Sequence, residues 1–66
     1  MDMLKTFGRK VRHFRKERGV SQEELAFQSG LHRTYISQIE AGARNVALRN
    51  IIRLAKALGI SPKEFF

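Results

Sequence analysis

The sequence predicts an all-α domain: one compact body of five short helices over residues 1–66. Three observations carry this. Apolar residues recur at three- and four-residue spacing throughout the chain. Gly19, Gly30, Gly42 and Gly59 fall between the periodic segments, where helices stop. No apolar–polar alternation and no Asn-Gly or Asp-Gly hairpin signal occurs.

The first helix runs from about Met3 to Arg18, with Leu4, Phe7, Val11 and Phe14 on its inner face. Lys5, Arg9, Lys10, Arg12, Arg15, Lys16 and Arg18 occupy its other faces, and Gly19 ends it. Ser21-Gln22-Glu23-Glu24 reads as a capping box in which Ser21 caps Glu24 and Glu24 reaches back. It opens a second helix, Gln22 to about Ser29, with Leu25 and Ala26 inward. A third helix follows from about His32 to Ala41, with Ile36 and Ile39 inward. The fourth, from about Ala47 to Leu58, is expected to bury Leu48, Ile51, Ile52, Leu54, Ala55 and Leu58. Ser61-Pro62-Lys63-Glu64 reads as a second capping box, opening a last turn that ends in Phe65-Phe66.

Composition excludes several functions. A chain of 66 residues with 42% apolar content affords one modest core and too little mass to wall a large enzyme pocket. Without cysteine there is no disulfide framework or thiolate metal site, which fits a reducing cytosol. His13 and His32 stand apart from any acidic cluster, so no metal is expected. Ser21 is better explained as a cap than as a nucleophile, and no glycine loop is built for phosphate, so neither catalysis nor a cofactor is expected. No apolar run reaches bilayer length.

The net charge of +7 points to phosphate, in nucleic acid first and anionic membrane second. A folded first helix with Phe7, Val11 and Phe14 buried keeps no free apolar face for lipid. The charge is uneven: about +5 in residues 1–18, −2 in 19–40 and +4 in 41–66.

Residues 22–41 have the spacing of a helix-turn-helix, two short helices joined by three residues that include Gly30. Such a unit places its second helix in the major groove with the N-terminal residues at base edges. Arg33, Thr34, Ser37 and Gln38 are the base-reading candidates. Arginine suits guanine, glutamine suits adenine and a threonine methyl suits thymine. His32 stands at the same helix end and is assigned to the DNA backbone. Two readings stand for Tyr35: a hydroxyl on phosphate, or packing at the helix base. Two also stand for Arg44: a phosphate contact, or a solvated loop charge. Gln22 begins the second helix, where free N–H groups favour phosphate. Glu23 lies across the turn from Arg33 and is expected to accept from one edge of its guanidinium, aiming the other at guanine.

SQEELAFQSGLHRTYISQIEAG resembles the helix-turn-helix of the lambda-repressor-like, xenobiotic-response-element (XRE) family of bacterial and phage regulators. RHFRKERGVSQEELA and LRNIIRLAKALGISPKEFF resemble that family's flanking helices. RTYISQIE followed by RN is similar to controller proteins of restriction–modification systems. The resemblance implies a five-helix domain that binds palindromic operator DNA as a homodimer and regulates transcription without enzymatic activity. It implies a cytoplasmic, nucleoid-associated protein of bacterial or phage origin, with no membrane partner and no small-molecule ligand. A phage-type repressor, an antitoxin and a protein-interaction module on the same scaffold are the alternatives.

By the same resemblance Gln22, Arg44 and Asn45 contact the DNA backbone, and Arg15 and Glu40 form a structural ion pair. Many relatives cap the fourth helix with Ser or Thr where this chain has Ala47; Asn45 is the substitute, unless the helix start frays. The expected dimer surface comprises Ile60, Phe65 and Phe66 with Asn50 and Arg53 of the fourth helix.

Overall fold

The computed structural model describes residues 2–66. Four α-helices follow one another: α1 Met3–Arg18, α2 Gln22–Ser29, α3 Arg33–Glu40 and α4 Leu48–Leu58. A 3-10 turn, Pro62–Phe65, replaces the expected fifth helix. It closes with i→i+3 bonds, Glu64 N–H to the Ser61 carbonyl and Phe66 N–H to the Lys63 carbonyl, both 3.0 Å. The tighter turn carries Phe65 inward, with its ring 5.0 Å from Phe7 and 6.1 Å from Phe14. Ser61 provides no side-chain cap, so the second capping box does not form.

Local chemistry explains the helix starts. Asp2 caps α1 by accepting from the N–H groups of Leu4 and Lys5 at 3.0 and 3.2 Å. The Ser21 hydroxyl accepts from Glu24 N–H at 3.0 Å; that is the only cap bond there, since Glu24 does not reach back. Neither His32 nor Ala47 supplies a side-chain cap to α3 or α4, and Asn45 does not substitute. Arg18 closes the far end of α4, donating to the Leu58 carbonyl at 3.4 Å.

The core gathers Phe7, Val11, Leu25, Ile36, Ile39, Leu54, Leu58 and Phe65 from every element. The fourth helix departs from expectation: Leu48 is 74% exposed and Ile52 46%. Its buried stripe is Leu54, Ala55 and Leu58, with Ile51 half-buried. The periodicity of α4 was apolar on two faces, and only one of them meets the core.

Two contacts fix how α3 sits on α1. The first is Gly8, in mid-helix, where glycine is locally unfavourable. A Cβ there would lie 2.2 Å from the Ile39 carbonyl oxygen and 2.9 Å from that of Glu40. The backbones cross too closely for any side chain. The second contact is the ion pair implied by resemblance. Arg15 Nε donates to Glu40 Oε2 at 2.6 Å and its Nη2 to Oε1 at 3.1 Å. Its Nη1 donates to the Val20 carbonyl at 2.9 Å. The Gln22 amide adds a bond to Glu40 Oε1 at 3.1 Å. The paired side chains are 10% and 5% exposed. The hydrogen bond to Glu40 raises the Arg15 pKa above its ordinary value and outweighs desolvation, so the guanidinium stays charged despite its burial.

Two stability outcomes follow. Gly8→Ala gains about 1 kcal/mol of helix propensity yet lowers the melting temperature, because the clash is with backbone. A rise on thermal unfolding would refute the close crossing. Glu40→Leu alone strands a buried guanidinium and costs about 3 kcal/mol. Arg15→Met with Glu40→Leu costs less than the two single changes added together. Additive losses in the same thermal cycle would mean the two side chains do not act as a pair.

Candidate nucleic-acid interface

Gly30 makes the turn between α2 and α3. Its φ of +74° is a left-handed conformation that side-chain-bearing residues rarely adopt. The Leu31 N–H then bonds back to the Ala26 carbonyl at 2.9 Å, turning the chain into α3. Ile36 and Ile39 bury one face of α3. Arg33, Thr34 and Ser37 are exposed on the other, with Gln38 half-buried beside them. The i, i+1, i+4, i+5 spacing sets these four on one face, so the base-reading candidates do come together.

Tyr35 is tied down by packing and polar contacts together. Its ring packs against the core, and its hydroxyl accepts from Asn50 Nδ2 at 3.1 Å. The Arg44 guanidinium lies over the ring, 4.9 Å from its centroid, and donates to Gln38 Oε1 at 2.7 Å. Arg44 is therefore held beside α3. His32 is exposed as the residue preceding α3, and Asn45 is exposed in the loop before α4. Gln22 donates one amide hydrogen to Glu40, which leaves the second N–H of the amide to other partners.

Two expectations are corrected. Glu23 forms no salt bridge with Arg33; the Arg15–Glu40 contact and an exposed His13–Glu17 contact are the ion pairs among the described residues. Glu23 stands in the first turn of α2, where an acidic side chain favours the helix dipole. Phe65, expected on an exposed dimer surface, is 1% exposed in the core. Of the other expected dimer residues, Asn50 donates to Tyr35, and Arg53 lines the same concave surface as Thr34, Tyr35, Gln38 and Arg44. Ile60 packs half-buried against the core, which leaves Phe66 as the exposed apolar member of the expected dimer set.

The sequence reading missed Arg49. It lines that surface one turn before Arg53, and no carboxylate among the described residues shares the surface with them. The i, i+4 spacing of the two arginines was the available signal. The reading also missed an exposed apolar stripe on α4: Leu48 and Ile52 one turn apart, with half-buried Ile51 between them. Among the described residues no helix is long and apolar enough to cross a membrane, and no cluster of His, Cys, Asp and Glu is arranged to hold a metal.

Residues 11–65 match the helix-turn-helix family model. The chain belongs to the helix-turn-helix family. Within it, this helix-turn-helix chain is 58% identical over 59 residues to the control protein C.BamHI of Bacillus amyloliquefaciens, across 88% of this chain and 73% of that protein. The crystal structure of the restriction-modification controller protein C.AhdI from Aeromonas hydrophila superposes with a TM-score of 0.94 at 52% identity, covering 96% of each chain. The controller protein C.Esp1396I, solved as a tetramer with its natural 35 base-pair operator, gives a TM-score of 0.90 at 36% identity, over 100% of this chain and 87% of that one.

The arginine surface generates a salt prediction. Arg49→Ala flattens the slope of log affinity against log salt by about 0.9 for the one phosphate lost, and weakens all duplexes alike. An unchanged slope in a salt titration of duplex binding would place Arg49 away from the backbone.

Proposed function

We propose that this chain is a transcription regulator that binds a palindromic operator as a homodimer and controls a restriction–modification locus. The observation that carries the reading is the outer face of α3, with Arg33, Thr34, Ser37 and Gln38, whose Thr34 and Gln38 share with Arg44, Arg49 and Arg53 a concave surface that no carboxylate among the described residues lines. The α3 face reads base edges; the arginines draw and hold the phosphates. Gln22, His32, Tyr35 and Asn45 complete the backbone contacts. Similarity to control proteins along most of their length supports the restriction–modification context, and the operator complex of C.Esp1396I supports DNA as the partner. Family membership makes the chain a DNA-binding regulator and not an enzyme.

The dimer is built on Leu48, Ile52 and Phe66, not on Phe65. One α3 reads only a few base pairs, so a two-fold pair with its reading helices about 34 Å apart doubles the site. The domain measures 29 × 23 × 21 Å, which suits that separation.

Selection of bound sites from randomised duplex DNA tests the function and is expected to return an inverted repeat. Arg33→Ala should relax one guanine position by about 1–3 kcal/mol. Recovery of no preferred sequence would overturn the reading. Ile52→Asp should convert a sedimenting dimer to monomer while helix content is retained. A wild-type chain that stays monomeric at high micromolar concentration, alone and on DNA, would remove the dimer.

A further inference from the structure

Arg44 has two engagements inside the protein, and together they constrain a third residue. Arginine only donates, so the group it meets on Gln38 must be the amide oxygen. The bond is short, 2.7 Å from Nη1 to Oε1, as a charge-assisted bond should be. The guanidinium is itself held over the Tyr35 ring, 4.9 Å from the centroid. The ring in turn is held by core packing and by Asn50 Nδ2 on its hydroxyl. Constraint therefore passes from α4 through Tyr35 and Arg44 to the amide of Gln38.

A free glutamine amide exchanges its donor and acceptor ends by turning about its last torsion. Reading adenine needs one sense only, oxygen toward N6 and nitrogen toward N7. We propose that Arg44 is a specificity-positioning residue: it fixes the sense of the Gln38 amide and so controls discrimination at the base pair Gln38 meets. The amide N–H groups and the second oxygen lone pair remain free to face a base. Presenting one sense before binding removes an ordering cost that a free side chain would bear on DNA. Arg44 thus acts on sequence choice as well as on phosphate charge. This inference rests on α3 reading DNA.

The discriminating variant is Arg44→Lys. Lysine keeps the positive charge but not the planar, stackable donor group. The probe is a site selected from randomised duplexes, with each base pair then varied singly. Arg44→Lys should lower discrimination at one base pair about tenfold, read as the ratio of affinities for the selected duplex and its single-pair variants, so that any uniform change in phosphate binding cancels. Gln38→Ala should lower discrimination at that same pair, and the double variant should lose no more than Gln38→Ala alone. A wild-type profile for Arg44→Lys, or losses that multiply in the double variant, would overturn the positioning role. NMR of the DNA-free protein supplies an independent arm. The Gln38 carboxamide should show contacts to the Arg44 side chain in the wild type and lose them in Arg44→Lys. Absence of those contacts in the wild type refutes the device even if DNA is read. Absence of sequence preference in the wild type, with Arg33→Ala also without effect, refutes the reading on which it rests.

Discussion

The Arg15–Glu40 pair is the contact on which the arrangement of α3 depends. Glu40 ends α3, Arg15 lies on the buried face of α1 and also donates to the Val20 carbonyl, and the Gln22 amide at the start of α2 donates to Glu40. One carboxylate thus gathers α1, the turn after it, and both members of the helix-turn-helix. A hydrophobic core of this size is non-directional and tolerates sliding of short helices. A two-bond arginine–carboxylate contact does not, because its planar geometry accepts little rotation. Gly8 adds the complementary steric limit, letting α3 approach α1 until backbone meets side-chain-free backbone. Attraction at one point and contact at another leave α3 one seat.

That seat explains how a weakly acidic segment of a basic protein still presents an exposed face free of carboxylates. Residues 19–40 carry Arg33 alone against three glutamates, yet Glu40 is neutralised by Arg15, and Glu23 and Glu24 lie in the first turn of α2. The outer face of α3 is left to Arg33 and small polar groups. Cations come from elsewhere in the chain: Arg44 from the following loop, Arg49 and Arg53 from α4. The polar face of α3 and the cations beside it therefore come from different segments that only folding brings side by side.

The α4 helix shows where sequence reasoning reached its limit. Its residues alternate among three destinies, with Leu54, Ala55 and Leu58 in the core, Arg49, Asn50 and Arg53 toward α3, and Leu48 and Ile52 exposed. Helical spacing identifies faces but not what each face meets. An apolar residue on a second stripe looks like core until the neighbouring helices are placed. Phe65 errs in the opposite sense, since two terminal phenylalanines read alike in sequence. The 3-10 turn sends one between Phe7 and Phe14 and leaves the other outside. The Glu23–Arg33 pairing failed for a related reason: proximity across a turn does not set the direction in which two flexible side chains extend.

The sequence by itself determined the helical class, the bounds of α1, α2 and α4 to within a residue, the three-residue turn and the four outward residues of α3. These are local properties, encoded in 3.6-residue periodicity, in Ser21 as a cap, and in Gly30 where a positive φ is required. The resemblance supplied Arg15 with Glu40, which no local rule pairs across twenty-five positions. Only the tertiary structure decided which apolar stripe of α4 stays outside, that Asn50 holds Tyr35, and that Arg44 holds Gln38. Each of these joins residues from different elements or across a loop, and depends on crossing angles and side-chain reach fixed only once α3 is seated against α1 and the chain has turned back along α4.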